Sequence, residues 1–190
     1  MPIKCALPGT LTVPGAVASW TEAHAAYGRL PLAFSSRCFT ARRYNLPKDD
    51  CQFSCIANPD GLMMRTRESE GFLVLNGTQT QSAKVYNLLP DMAQLRSLGV
   101  DVLRISPQSQ HTLRIIDLFA AVVAGKKTAQ AANAELQPLM PEKSCNGYWY
   151  GKPGLEQVAL TAMSLVASSL RAILRCRMPV RVTIHSSVEI

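Results

Sequence analysis

Three cysteines fall within the stretch CFTARRYNLPKDDCQFSC, where Cys38, Cys51 and Cys55 have the spacing C-x12-C-x3-C. Arg37, Arg42, Arg43 and Lys48 stand beside or between them. Thiols gathered in a polar loop, in a chain with no sign of export, point to a metal or cluster site more than to disulfides. Iron–sulfur chemistry fits best. Such clusters are held by thiolates, and nearby cations both favour the deprotonated sulfur and offset the negative charge of a thiolate-bound cluster. Zinc is the runner-up, because structural zinc sites use C-x2-C to C-x4-C pairs in matched sets and one such pair is present here. Unrelated buried or reactive thiols are the plain alternative.

The elements that must position these thiols can be read on either side of them. An extended segment from Thr21 to Tyr27 continues into YGRLPLAFSSRC, where Leu30, Leu32 and Phe34 carry an apolar run straight into Cys38. His24 in this segment reads as a packed or surface residue rather than a ligand. After the cysteines, Asn58-Pro59-Asp60-Gly61 is a turn, and Phe72 to Leu75 is a short apolar strand ending in Asn76-Gly77. The spacing of Val85, Leu88, Leu89, Met92 and Leu95 predicts a helix opening at Thr78 to Ser82, with Pro90 near a second helix start. Val100 to Ile105 is the next strand, ending in Ser106-Pro107-Gln108. A helix over 109–124 follows, with Leu113, Ile116, Ala120 and Val123 on one face, and 126–143 reads as a helix and linker. Strand, helix, strand, helix is a parallel βαβ rhythm and an α/β fold. Asn76, Gln79, Arg104 and Gln108 then lie near the carboxyl ends of strands, where such folds place chemistry. Ordinary capping and solvated polar residues are the competing reading, and Met63 and Met64 read as packing.

The chain has 190 residues, 47% of them hydrophobic, enough for one domain with a core. Its start, MPIKCALPGTLTVPG, lacks the apolar run of a signal peptide, so a reducing, cytoplasmic location is expected. The formal charge of +7 is spread along the chain without a Lys/Arg run, so there is no nucleic-acid signature. An anionic substrate or partner accounts for the charge equally well. Residues 1–20 read as an unmatched loop-rich segment. Leu155 to Leu174 reads as an amphipathic helix followed by Arg175, Arg177 and Arg181, covering exposed core or, less readily, touching a membrane or a partner. Arg171 and several hydroxyl residues argue against a membrane-spanning helix. Cys176 among these arginines is a candidate reactive thiol.

The motifs RLPLAFSSRCFTAR, PKDDCQFSC, FLVLNGTQTQS, GVDVLRISPQ and CNGYWYGKPG together resemble the peptidase U32 family, in particular its members of oxygen-independent ubiquinone synthesis. The resemblance covers residues 21–154 and ends before 155–190. It implies the later units of a (β/α) TIM-like barrel, an incomplete one, since a complete barrel usually needs about 250 residues. It also implies a [4Fe–4S] cluster on Cys38, Cys51 and Cys55, and a heterodimer with a homologous UbiU-like U32 partner. A lipid-carrier protein of the quinone pathway is a further implied partner, and the implied reaction is hydroxylation of the ring precursor without dioxygen. The family pattern places the fourth cluster cysteine upstream of this stretch. Cys5 is the upstream cysteine here, and Cys145 in CNGYW is the other candidate. The family name suggests a peptidase, against which stand the lack of H-E-x-x-H and G-x-S-x-G motifs and the presence of 3 histidines, none beside a candidate nucleophile. A non-functional truncated fragment is the remaining alternative.

Overall fold

The computed structural model describes residues 23–47, 49–159 and 181–184. Among the described residues, seven strands form a mixed sheet: β1 (Ala23–Phe34), β2 (Leu62–Arg65), β3 (Gly71–Asn76), β4 (Gln79–Asn87), β5 (Val102–Ile105), β6 (Ser144–Cys145) and β7 (Arg181–Ile184). Their order is β2-β3-β4-β1-β5-β7, and β6 pairs with the far end of β4. β2, β3, β4 and β1 run antiparallel to their neighbours, whereas β1, β5 and β7 are parallel. Four α-helices accompany the sheet among the described residues: α1 (Phe39–Arg43), α2 (Met92–Ser97), α3 (Thr112–Val123) and α4 (Ala129–Leu136).

The expected α/β class is present, with strands where FLVLN and VLRI were read and helices over both later segments. The helix expected from Thr78–Ser82 onward is not. Gln79–Asn87 is strand β4, followed by a 3-10 turn over Leu89–Asp91 with Pro90 at its second position and then by α2. Asn76-Gly77 decides this, because Gly77 takes φ 59° in a two-residue turn that folds β4 back on β3, pairing Asn76 with Gln79. The strand–helix–strand rhythm therefore begins only after β4. β3 is only partly covered: Val74 is enclosed, Phe72 on the same face is 51% exposed, and Leu73 and Leu75 on the other face are half-buried.

The core joins Ala26 and Tyr27 of β1, Val85 and Tyr86 of β4, and Leu103 and Ile105 of β5 to the helices. From α3 it receives Ile115, Leu118 and Phe119, with Ile116 and Val123 of the expected face half-buried against it, while Leu113 and Ala120 are exposed. The helical period is as expected but the buried stripe is rotated, because α4 supplies Ala132 and Leu136 from one side. Asn87 locks this junction: its Nδ2 donates to Asn133 Oδ1 at 2.9 Å and its Oδ1 accepts from Leu89 N at 3.0 Å. Leu155 to Ala159 carry no helix, and the rest of the expected tail helix, residues 1–20, Lys48, Cys5 and Cys176 lie outside the described residues.

A local irregularity in β1 shapes the site. Pro31 has no N–H to give the ladder, and the β1–β4 register shifts on both sides of it. The ladder's missing partners come from side chains: Leu30 N donates to Ser82 Oγ at 2.9 Å, and Arg29 donates from Nη1 to the carbonyls of Ser82 and Ala83. Just before this, Gly28 takes φ 118°, and a Cβ there would meet Ser106 Cβ at 2.5 Å. Only glycine lets the end of β5 approach β1 so closely.

Candidate functional site

β1 delivers the cysteine loop to one end of the sheet. Past Phe34 the pairing continues through Ser35 N to Thr78 O, 2.8 Å, and Phe39 N to Gly77 O, 2.8 Å, which fastens the loop to the β3–β4 turn. Cys38 is the N-cap of α1, and its Sγ accepts from Ala41 N at 3.5 Å. Thr40 and Ala41 are buried beneath it. The chain then returns, held by Leu46 N to Ala41 O at 2.9 Å and by Arg37 Nη2 donating to Leu46 O at 3.4 Å. Cys51 opens a tight turn, with Ser54 N donating to Cys51 O at 3.2 Å, and Cys55 sits in the 3-10 turn Ser54–Ala57 packed against α1.

Cys38, Cys51 and Cys55 are all half-buried and unpaired by disulfides. Two observations set the loop apart. Gln52 and Phe53 both take left-handed backbone, φ 51° and φ 48°, between the second and third cysteines. Left-handed backbone at two successive residues with side chains is costly, and such strain concentrates where a ligand is gripped. Ser54 Oγ is also buried with no hydrogen-bond partner, next to Cys55. A hydroxyl in that position has a proton to give to sulfur. The donor set therefore suits an iron–sulfur group in kind: soft thiols, an N–H on one sulfur, an unused O–H and flanking arginines. Among the described residues no three His, Cys, Asp or Glu side chains converge as a ready-made metal site. Binding would thus be coupled to drawing the loop together.

Cys145 stands elsewhere. It lies fully enclosed on β6 opposite Tyr86, while the cysteine loop is fastened near Gln79. The strand from Gln79 to Tyr86 spans roughly 23 Å at the normal rise per residue. Burial pushes the Cys145 thiol up to about 11, opposed by the Lys84 charge, as for a packed thiol in the core. The candidate fourth ligand in CNGYW thus stands apart from the other three cysteines. The rest of that motif is a clasp: Asn146 Oδ1 accepts from Val158 N at 2.7 Å, its Nδ2 donates to Val158 O at 3.1 Å, and Asn146 N and Gly147 N both donate to Glu156 O. Tyr150 donates its hydroxyl proton to the enclosed Asp91.

The polar residues at strand ends divide. Asn76 and Gln108 line one cleft together with Gly28, Arg29, Asp60, Gln81 and Ser106. Gln79 instead accepts from Gln81 Nε2, and Arg104 lies on β5 opposite Ala25. His24 is packed edge-on against Trp149 at 5.2 Å, and burial, with Arg104 second, lowers its pKa, in keeping with a packed residue. Ser35 Oγ accepts from Arg37 N at 3.2 Å. Arg29 and Asp60 were missed by sequence reasoning, although a lone cation inside the apolar YGRLPL run was a signal. No helix among the described residues is long and apolar enough to cross a membrane. No protein-family model matches the chain, and no solved structure matches it.

Proposed function

We propose that this chain is an iron–sulfur protein of the U32 type, with Cys38, Cys51 and Cys55 supplying three thiolates to a [4Fe–4S] cluster. It would serve oxygen-independent ubiquinone synthesis with a UbiU-like partner and a lipid-carrier protein, as subunit of a ring-hydroxylating assembly. The observation that carries the reading is the strained cysteine loop, with three unpaired, half-buried thiols and an orphaned hydroxyl at Ser54. The parallel run β1-β5-β7, with helices between β5 and β7, agrees with later units of a (β/α) barrel, whereas the β2-β3-β4 meander is an addition to that pattern.

A bound cluster supplies one-electron transfer. The chain's own residues do the rest. Cys38 presents its sulfur at the start of α1, where Ala41 N already donates to it. Arg37, Arg42 and Arg43 would offset the negative charge of a bound cluster, and the unpartnered Ser54 Oγ would be free to donate to one of its sulfurs, both of which would raise a reduction potential. The fourth position is left to a ligand from outside the described residues.

Anaerobic reconstitution with iron and sulfide tests this. The expected outcome is a brown protein with iron and acid-labile sulfide in equal amounts. Stoichiometric zinc without sulfide after native purification would favour the zinc alternative.

A further inference from the structure

The structure assigns a second site: the cleft between β1, the Asn58–Gly61 turn and the end of β5 binds a small monocarboxylate through Arg29. This inference does not depend on the cysteine loop holding a cluster. The cleft is lined by Arg29, Asp60, Asn76, Gln81, Ser106 and Gln108, drawn from separate stretches of chain. Its room of about 50 Å³ corresponds to roughly four waters, the size of a carboxylate with a short stem.

The lining is fixed before any ligand arrives. Arg29 is held by the Ser82 and Ala83 carbonyls through Nη1 alone, and its remaining guanidinium N–H groups have no partner among the described residues. No carboxylate lies within ion-pair distance of Arg29 among the described residues, although Asp60 of the same lining and then Glu142 act on its charge from further off. Asp60 is occupied by Ser109, whose N donates to Oδ1 at 2.7 Å and whose hydroxyl donates to Oδ2. Gln108 is clamped from both ends, accepting from Tyr27 Oη at 2.8 Å and donating Nε2 to Leu139 O at 2.8 Å. A half-buried guanidinium with donors to spare, beside neutral amides, is a carboxylate receptor by the geometry of its fork. Asp60 decides the charge class: its negative charge in the same cleft disfavours a phosphate dianion more than a monoanion.

The test is amide chemical-shift titration of the full chain with acetate at constant ionic strength, with chloride and inorganic phosphate as the other arms. Saturable shifts at Asn76, Gln81, Ser106 and Gln108 are expected for acetate alone. Arg29→Gln should weaken binding about tenfold or more, the loss expected for one charge-assisted contact, and Asp60→Asn should tighten it and admit phosphate. Because Arg29 also caps two carbonyls, Asn76→Ala provides a variant at the rim that leaves those bonds alone, with an expected weakening of a few-fold. The assignment is overturned if acetate shifts nothing saturably, if chloride shifts the same residues equally, or if folded Arg29→Gln binds as the parent does.

Discussion

Phe53 is a bulky side chain on left-handed backbone, and the chain tolerates it although the side chain is 68% exposed and earns little by packing. Replacing it by glycine should therefore stabilise the metal-free protein by up to about 1 kcal/mol, read as a raised denaturant midpoint, whereas Phe53→Ala should not. A destabilised Phe53→Gly would show that the conformation is not strained. Asp91 gives a pH signature. Its burial raises the carboxyl pKa, partly opposed by hydrogen bonds from Tyr150 and Asn146, and Oδ2 is left without a partner. The folded chain then holds the proton more tightly than the unfolded one, whose carboxyl titrates near about 3.9. The stability contribution is complete below that value and is lost as pH rises through the raised folded pKa. Asp91→Asn should flatten this part of the stability–pH curve; an unchanged curve would count against a charged, buried Asp91. The cysteine spacing was legible at this scale because ligand chemistry is written in residue types. The enclosure of Cys145 was not, since its cross-strand neighbour Tyr86 is distant in sequence.

At the scale of elements, β3, β5 and α3 were legible because each carries its own period and its own stop signal. The helix expected across Val85, Leu88 and Met92 was an accident of spacing. A strand, a turn and a short helix in succession imitate one helical face, and the Asn76-Gly77 turn was the stronger local signal. Gly28 is the element-level hinge of the account, since it sets how close β5 comes to β1. Gly28→Ala should cost about 2 kcal/mol or more, combining left-handed strain with a Cβ at 2.5 Å from Ser106 Cβ. Ser106→Gly in the same chain should recover only part of the loss, because the backbone strain remains. Equal melting temperatures for Gly28→Ala and the parent would contradict the close approach.

For the whole molecule, apolar side chains remain uncovered around the cysteine loop and the adjoining sheet. Phe34 and Ile56 are each 76% exposed, Phe53, Tyr44 and Leu32 stand near them in sequence or strand, and β2 is the edge of the sheet among the described residues. Uncovered apolar surface beside a strand edge promotes association. Sedimentation velocity should show concentration-dependent self-association of the isolated chain, reduced in Phe34→Ser; a single species unaffected by concentration would mean that this surface is self-sufficient. Co-expression with a UbiU-like U32 protein should replace self-association by a defined heterodimer.

The most direct measurement for the whole account is iron and acid-labile sulfide per chain, compared after identical anaerobic reconstitution, for the parent, the triple variant Cys38→Ala/Cys51→Ala/Cys55→Ala, and Cys145→Ala. The account predicts loss of nearly all iron and sulfide in the triple variant, with retention of both in folded Cys145→Ala. Full iron and sulfide in the triple variant, or their loss in Cys145→Ala alone, would contradict a cluster held by the cysteine loop.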